Sequence, residues 1–278
     1  MSKDFIVGDG RTHIDNPLRG ESLVAPKLVA STDIAEEVAM LPNVQVIGLG
    51  GASVFDRGSA VVFPLVDAIV QARKEHEFLV GVGGGARLRH VYQVSLDLGL
   101  PTGGLAQLAG ACEEQNAILL QTLLAQHKGV TLVRDHFADI PLFLSQGTIP
   151  ITISVPPYHH WEPPSRTGRL PENGSDLGLY MTAEALGAKS CIFVKDQRGL
   201  YSDDPVTNPE AEFIEHITTG ALMERNLPSL IVDRTLVETL HHARFVKRVQ
   251  IINGLEPETL GAALRGEHVG TIIEKGDA

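Results

Sequence analysis

The sequence has few cysteines, few aromatic residues and no long apolar run. Only two of its 278 residues are cysteine, and both stand among apolar neighbours, so we expect reduced thiols rather than a disulfide-stapled secreted domain. Aromatic residues make up only 5% of a chain that is 43% hydrophobic, as in an aliphatic α/β core. The N-terminal residues lack an apolar signal core, and no apolar run reaches the roughly 18 residues of a membrane span. We therefore expect a cytoplasmic protein outside the membrane.

The sequence also lacks any basic tract. Its 23 lysines and arginines are outnumbered by 34 acidic residues, which gives a formal net charge of −11. This excess of negative charge argues against a surface for nucleic acid or for an anionic membrane, because no basic run offsets the repulsion. It leaves room for a locally basic pocket that binds a small-molecule anion.

From Val44 onward, short apolar segments alternate with segments of helical periodicity. This alternation predicts βαβ units, and hence three layers in which helices cover both faces of a mainly parallel sheet. We interpret residues 43–278 as one such domain, and residues 1–42, which are rich in turn formers, as an N-terminal extension. The predicted strands are VQVIGL, FLVGV, VTLV, IPITISV, SCIFV, RVQIIN and GTIIE.

Six segments are predicted to be helices, and on the first of them the apolar residues share one face. A long segment between Val155 and Asp176 has five prolines and little periodicity, which is typical of a functional or disordered loop. The predicted helices are Ser59–Lys74, Leu88–Leu98, Leu105–Gln126, Leu177–Leu186, Thr235–Phe245 and Glu258–Leu264. The apolar face of the first comprises Val62, Leu65, Val66, Ile69 and Val70.

Two glycine turns follow predicted strands. Gly50 and Gly51 end the first strand, where successive N–H groups form either an anion nest or a simple tight turn. Three glycines, 83–85, end the second strand and open a helix that carries Arg87 and Arg89. A helix N-terminus, bare backbone and guanidinium groups together favour an oxyanion site. The alternative is a turn beside ordinary surface arginines.

A third loop follows the strand SCIFV. Lys195 and Asp196 lie at the carboxyl end of that strand, where ligands bind in open α/β sheets. Tyr201 adds a ring and a hydroxyl group, and Asp203 and Asp204 are suited to a ribose or, indirectly, to Mg²⁺. The alternative interpretation is an ordinary loop with solvated charges.

A pair of histidines lies in the proline-rich segment. His159 and His160 stand three and two residues before Glu162, respectively. Imidazole groups ligate metals when neutral and donate hydrogen bonds to oxyanions when protonated. The spacing matches no zinc signature, so a structural zinc site is not expected. The alternative is a pair of surface histidines beside an aromatic residue.

Together the three loops resemble the amino-acid kinase superfamily, which has the carbamate kinase-like fold. The most specific match is the pattern D-x-x-G-[LVI]-Y-[ST]-x-[DN]-P, which reads DQRGLYSDDP here, and the resemblance extends over about Asn43–Ile273. In that superfamily this loop lines the adenosine of ATP and the glycine turns receive its phosphates. The resemblance therefore implies ATP and Mg²⁺ as cofactors. The implied binding residues are Gly50, Gly51, Asp56, Arg57, Gly84, Gly85, Arg89, Lys195, Asp196, Gly199, Leu200, Tyr201, Asp204 and Pro205.

Other segments resemble the molybdenum-storage subunits of the superfamily more than its nucleotide kinases. They include PPYHHWE and ALRGEHVGT. This resemblance implies a hexamer, built from one or two subunit types, that encloses a cage in which molybdate or tungstate condenses into oxide clusters. It also implies that His159 and His160 contact the clusters, with Glu162 behind them.

One departure from the superfamily concerns phosphoryl transfer. Its members carry a lysine in the first strand that faces the transferred group, and the corresponding residue here is Gly48. Since phosphoryl transfer depends on positioning and charge stabilisation, losing that cation should be costly. Three functions remain open: an ATP-binding storage subunit, a uridylate or other small-molecule kinase in which Lys195 supplies the charge, and a non-catalytic nucleotide-binding regulatory subunit. The histidine pair favours the first, and whether ATP is hydrolysed stays open.

Overall fold

A computed structural model describes residues 5–8, 11–14, 38–132, 134–155 and 162–278. The chain divides into two compact units, Met1–Val38 and Ala39–Ala278. In the first unit, strands β1 (Phe5–Gly8) and β2 (Arg11–Ile14) form an antiparallel hairpin. The second unit carries the remaining elements and is described below by itself.

The second unit is built on an eight-stranded sheet. Its strands are β3 (Gln45–Leu49), β4 (Phe78–Val82), β5 (Gly129–Thr131), β6 (Ile149–Ile153), β7 (Ser190–Lys195), β10 (His216–Thr218), β11 (Arg248–Asn253) and β12 (Thr271–Glu274). They are ordered β10-β12-β11-β7-β3-β4-β6-β5. All neighbours are parallel except β11 and β12, so six strands run one way and β10 and β12 run the other way. A separate hairpin pairs β8 (Leu200–Tyr201) with β9 (Phe213–Ile214).

Helices cover both faces of the sheet. In the central strands successive residues belong to different apolar clusters: Val46 packs on one face and Ile47 on the other. Because strand side chains alternate between the two faces, both faces must be covered by helices for such continuous apolar runs to be buried. The helices are α1 (Ser59–Ala72), α2 (Gly85–Asp97), α3 (Thr102–Leu123), α4 (Ile140–Ser145), α5 (Ser175–Leu186), α6 (Thr219–Arg225), α7 (Arg234–His241) and α8 (Glu258–Leu264). The predicted three-layer α/β/α fold with a mainly parallel sheet is thus confirmed.

The predicted apolar face of the first helix is also confirmed. Val62, Leu65 and Ile69 are buried, and Val66 and Val70 are half-buried against the same cluster. The sequence pattern missed α4, α6 and β10, because elements of seven or fewer residues show little periodicity. In the described part of the chain, no helix is both long enough and apolar enough to span a bilayer.

Candidate functional site

A cavity of about 350 Å³ opens at the carboxyl ends of the central parallel strands. This edge of an open α/β sheet is where ligands usually bind. The two glycine turns, the first turn of α5, the last residue of β7 and Leu170 all line the cavity. Of the predicted site residues, it brings together Gly50, Gly51, Gly84, Gly85, Arg89 and Lys195.

The two glycine turns touch one another. A Cβ atom placed on Gly51 would lie 2.1 Å from the backbone N of Gly85, so no side chain fits between the turns. The N–H groups of Gly51, Ala52, Gly84 and Gly85 donate no hydrogen bond to any acceptor within the described ranges. Since buried or half-buried N–H groups normally have partners, four free donors on one cavity wall form a nest suited to an anion.

Asp56 and Arg57 support this nest and do not line the cavity. Oδ2 of Asp56 accepts a hydrogen bond of 2.6 Å from the N–H of Ala86, in the first turn of α2. The guanidinium group of Arg57 donates to Asp196 at 2.5 and 3.2 Å, which joins the first loop to the loop after β7. Both predicted residues therefore hold loops together.

The two arginines of α2 have different surroundings. Arg87 donates to Oε1 of Gln115, at 3.1 Å, and to the side chain of Asn116 on α3. Asn116 is fully buried and in turn donates to the carbonyl group of Gly83 at 2.6 Å, so this network fixes the second glycine turn. Arg89 is exposed and lines the cavity, where its charge is available to a ligand.

A second charged group in the cavity is Lys195. Its Nζ atom lies 2.8 Å from both carboxylate oxygens of Asp176, in the first turn of α5. The same turn is capped by Asp233, whose Oδ2 accepts from the N–H of Leu177 at 2.9 Å. Loss of hydration and the nearby charge of Asp176 raise the pKa of Asp233 above its usual range. A Cβ atom on Gly174 would lie 2.4 Å from Asp233, so glycine is needed for this close approach.

Gly48 lines the floor of the cavity, and a second glycine stands beside it on the next strand. Gly48 on β3 and Gly81 on β4 are in register, and both line the space filled by the side chain of Leu179. A Cβ atom on Gly48 would lie 2.8 Å from Leu179 and 2.9 Å from Phe193, and one on Gly81 would lie 2.4 Å from Leu179. The space that a side chain at position 48 would need is therefore filled by Leu179 from α5 and by Phe193.

A buried carboxyl group lies directly behind the cavity wall. Glu113 on α3 is 0% exposed, and its Oε2 atom accepts hydrogen bonds of 2.8 Å from the N–H groups of Ser154 and Val155. The hydroxyl group of Ser175 donates to Oε1. Burial raises the pKa of Glu113 to about 7, against the opposite effect of these hydrogen bonds.

The remaining residues of the third loop lie outside the cavity lining. Leu200 is buried and donates its N–H to Oγ1 of Thr271 at 2.8 Å. The ring of Tyr201 packs edge-on against Phe213, with centroids 5.5 Å apart. Gly199 is packed against Thr271, and Asp204 and Pro205 lie in the loop that leads to β9. Their assignment to ATP stays a prediction.

The predicted cluster residues are described only in part. His159 and His160 lie outside the described residues. Glu162 is half-buried, and burial raises its pKa, against the opposite effect of its hydrogen bonds to Asn173. Across the described ranges, no group of three histidine, cysteine, aspartate or glutamate residues is arranged to hold a metal ion.

Comparison with known proteins identifies the family. Residues 43–253 match the sequence profile of the amino acid kinase family. The chain belongs to that family. The β subunit of the molybdenum storage protein of Azotobacter vinelandii is 41% identical over 268 residues, which is 96% of this chain and 99% of that subunit. A uridylate kinase of Methanothermobacter thermautotrophicus is 26% identical over 82% of this chain and 97% of its own length.

The fold is shared with solved structures. The uridylate kinase of Archaeoglobus fulgidus superposes with a TM-score of 0.65 at 21% identity, covering 82% of this chain and 99% of that one. The UMP kinase of Ureaplasma parvum gives a TM-score of 0.64 at 18% identity, covering 85% of this chain and 100% of the other. At these identities the likeness concerns the fold alone, which is the predicted amino-acid kinase fold.

Sequence reasoning missed several residues of the site, among them Glu113, Leu179 and Asp233. Glu113 had a detectable signal, because it stands in the buried stripe of α3 between Ala109 and Ala117, where a carboxyl group is unusual. Leu179 and Asp233 carried no such signal. Their importance depends on neighbours that are distant in the sequence.

Proposed function

We propose that this chain is an ATP-binding subunit of an oligomeric assembly that stores molybdenum or tungsten as oxide clusters. The observation that carries the proposal is the nest of four free N–H groups between two glycine turns. The 41% identity to a molybdenum storage subunit over nearly the whole length supports the assignment of molybdate as cargo. The second glycine turn and α2 would supply the anion site at a helix N-terminus.

The cavity fits the phosphates of ATP. A space bounded by bare backbone admits a phosphate group without steric conflict, and the nest replaces the hydrogen bonds that the phosphate loses on leaving water. Gly51, Ala52, Gly84 and Gly85 would donate these bonds, while Arg89 and Lys195 would supply positive charge. ATP would be bound together with Mg²⁺.

The cargo site is proposed on the histidine pair. His159, His160 and Glu162 would contact molybdate or tungstate clusters, with the imidazole groups acting as proton donors or nitrogen ligands. Ser154, which lines the nucleotide cavity, stands only five residues before His159 in the sequence. This short separation along the chain supports a link between the nucleotide site and the proposed cargo site.

The assembly is proposed to be a hexamer of one or two subunit types. Val94 on α2 and Leu98, the residue directly after the end of α2, are 46% and 68% exposed and are suited to a subunit contact. Both cysteines are free thiols in the structure, which supports a cytoplasmic location.

A kinase activity is the second candidate. The uridylate kinase relatives and the position of Lys195 in the cavity favour it. Against it, Leu179 and Phe193 fill the space that a side chain at position 48 would need, and Lys195 is already paired with Asp176.

The proposal is tested by elemental analysis of the purified protein after incubation with molybdate, with and without ATP and Mg²⁺. We expect many molybdenum atoms per chain, and we expect this number to depend on ATP. The double variant His159→Ala/His160→Ala should lose the metal, whereas His127→Ala, which changes an exposed histidine in a short turn, should retain it.

Two outcomes would contradict storage by this chain. No retained metal, with phosphorylation of UMP by ATP, would establish the kinase instead. Bound nucleotide with neither retained metal nor turnover would indicate a regulatory subunit.

A further inference from the structure

Glu113 is a buried carboxyl group to which the proposed function assigns no role. It projects from the buried stripe of α3, and in the described part of the chain its three hydrogen-bond partners are neutral donors: the N–H groups of Ser154 and Val155, and the hydroxyl group of Ser175. Burying a carboxyl group without a cationic partner is costly. A buried polar group of this kind needs a structural or functional explanation.

The partners of Glu113 belong to the cavity wall. Ser154 and Ser175 both line the cavity, while Glu113 stands behind them. Ser154 follows β6, and Ser175 is the first residue of α5, so Glu113 joins three elements that are distant in the sequence. The residue after Ser175 is Asp176, which binds Lys195 through both of its oxygens. One carboxyl group thus fixes the segment that sets the position of the cavity's lysine.

The groups around Glu113 are mostly acidic. Asp176 on α5 raises the pKa of Glu113, and on α3 the neighbouring Cys112 interacts with the carboxylate. From α2, burial raises the pKa of Tyr92, and Glu113 adds to that effect. Beyond Asp176 lie Asp233, before α7, and the cation Lys195. A second cation, Arg87 of α2, interacts with Cys112. A proton on Glu113 therefore removes negative charge from a region that already has an excess of it.

We propose that Glu113 is a positioning residue for the nucleotide cavity, and that its protonation state modulates the affinity for an anionic nucleotide. From behind the cavity wall it holds Ser154 and the first turn of α5. Through that turn it also holds the Asp176–Lys195 pair. This inference rests on the proposed function, because it takes a nucleotide as the ligand. An ionised Glu113 keeps its three hydrogen bonds but places a negative charge behind the wall that faces the phosphates. The neutral form keeps the geometry without that repulsion, so affinity falls as pH rises through the titration of Glu113.

A glutamine at position 113 separates the two roles of the side chain, which are to hold its hydrogen-bond partners in place and to carry a titrating charge. In Glu113→Gln, the amide oxygen can accept from both N–H groups, and the amide nitrogen can donate to Oγ of Ser175 after its hydroxyl group turns. The variant keeps the connections and removes the titrating charge. Glu113→Ala removes both, and it leaves two buried N–H groups without a partner.

The experiment is calorimetric titration of each variant with a non-hydrolysable ATP analogue and Mg²⁺, from about pH 6 to about pH 8. We expect wild-type affinity to fall several-fold over this range. We expect Glu113→Gln to match the wild type at the acidic end and to vary less with pH. Glu113→Ala should bind at least about tenfold more weakly at every pH, because the wall is no longer held.

The outcomes separate the inference from the proposed function. A wild type that binds no nucleotide overturns the proposed function, and the inference falls with it. A wild type that binds, together with a Glu113→Ala variant of unchanged affinity, overturns the inference alone. Should Glu113→Ala fail to fold, Glu113→Gln decides: a pH profile identical to that of the wild type overturns the inference, because a purely structural Glu113 would leave the profile unchanged.

Discussion

At the scale of single residues, the cavity depends on positions that have no side chain. Gly48 and Gly81 leave the space that Leu179 fills, and Gly51 allows two loops to meet at backbone distance. At each of these three glycines, an added Cβ atom would lie closer to a neighbouring atom than Cβ atoms lie in real structures. A methyl group at Gly48 should therefore lower the stability of the fold, and one at Gly51 should impair ligand binding.

The first prediction concerns the floor. Gly48→Ala should lower the free energy of unfolding by about 1–3 kcal/mol through overpacking. Leu179→Ala, which empties a buried site, should lower it by about 2–5 kcal/mol. Because the new methyl group at position 48 and the side chain of Leu179 compete for one space, the double variant should lose less unfolding free energy than the sum of the two single losses. Denaturant unfolding of all four proteins measures the coupling, and additive losses would show that Leu179 does not fill the place of a residue-48 side chain.

The second prediction concerns the nest. Gly51→Ala should abolish binding of an ATP analogue, because the methyl group would lie 2.1 Å from the backbone N of Gly85 and must force the turns apart. Gly104→Ala is the matched control, since its methyl group would lie no closer than 3.7 Å to Pro101. This control should bind normally and gain up to about 1 kcal/mol in stability from its position inside a helix. Equal binding by both variants would argue against the nest.

At the scale of elements, the first turn of α5 is the junction of the site. It carries Asp176, the hydroxyl group of its Ser175 donates a hydrogen bond to Glu113, and the N–H group of its Leu177 donates to Asp233 from another segment. A carboxylate near a helix N-terminus is favoured by the helix dipole. Here, however, loss of hydration and the neighbouring Asp176 outweigh that benefit, so the pKa of Asp233 is raised.

The third prediction follows from this raised pKa. Because the folded state holds a proton on Asp233 more tightly than the unfolded state, the contribution of Asp233 to stability is largest below its ordinary pKa of 3.8 and is lost as pH rises through the folded value. Asp233→Asn keeps an acceptor for the N–H of Leu177 without titrating. Its melting temperature relative to the wild type should therefore increase from acidic to neutral pH.

Asp233→Ala serves as the comparison for this prediction. It removes the cap itself, which should cost about 0.5–2 kcal/mol. A melting difference between Asp233→Asn and the wild type that stays constant with pH would contradict the assignment.

At the scale of the whole molecule, the chain is an acidic subunit with exposed apolar residues. With a formal net charge of −11, it repels both nucleic acid and its own proposed anionic ligands at long range, so binding must rest on local groups such as Arg89, Lys195 and the free amides. Contacts between acidic subunits likewise have to come from apolar surface.

The fourth prediction concerns the assembly. Sedimentation analysis should give the mass of six chains, and Leu98→Glu should lower that mass, because a charge would be buried in the proposed contact. Val206→Glu is the control: Val206 is 76% exposed in the loop between β8 and β9, away from α2 in the sequence. A monomeric wild type would contradict the hexamer, and an unchanged mass for Leu98→Glu would exclude this face as the contact.

The class of fold, the two glycine turns and the family could all be predicted from the sequence alone. Apolar runs such as FLVGV show that both sheet faces are covered, and the order of strands and helices along the chain limits the topology. Gly50, Gly51, Gly84 and Gly85 were identifiable because a strand followed by glycines is a local pattern. These features depend on residues that are close in the sequence.

The contacts that complete the site are visible only in the folded chain. Strands β10 and β12 run against the other six, Leu179 fills the space beside Gly48, and Glu113 and Asp233 meet the first turn of α5. Each of these pairings joins residues that are far apart in the sequence, and periodicity carries no information about such contacts. Likewise the pKa of Glu113 is set by burial, which only the packing of α3 against β6 and α5 produces.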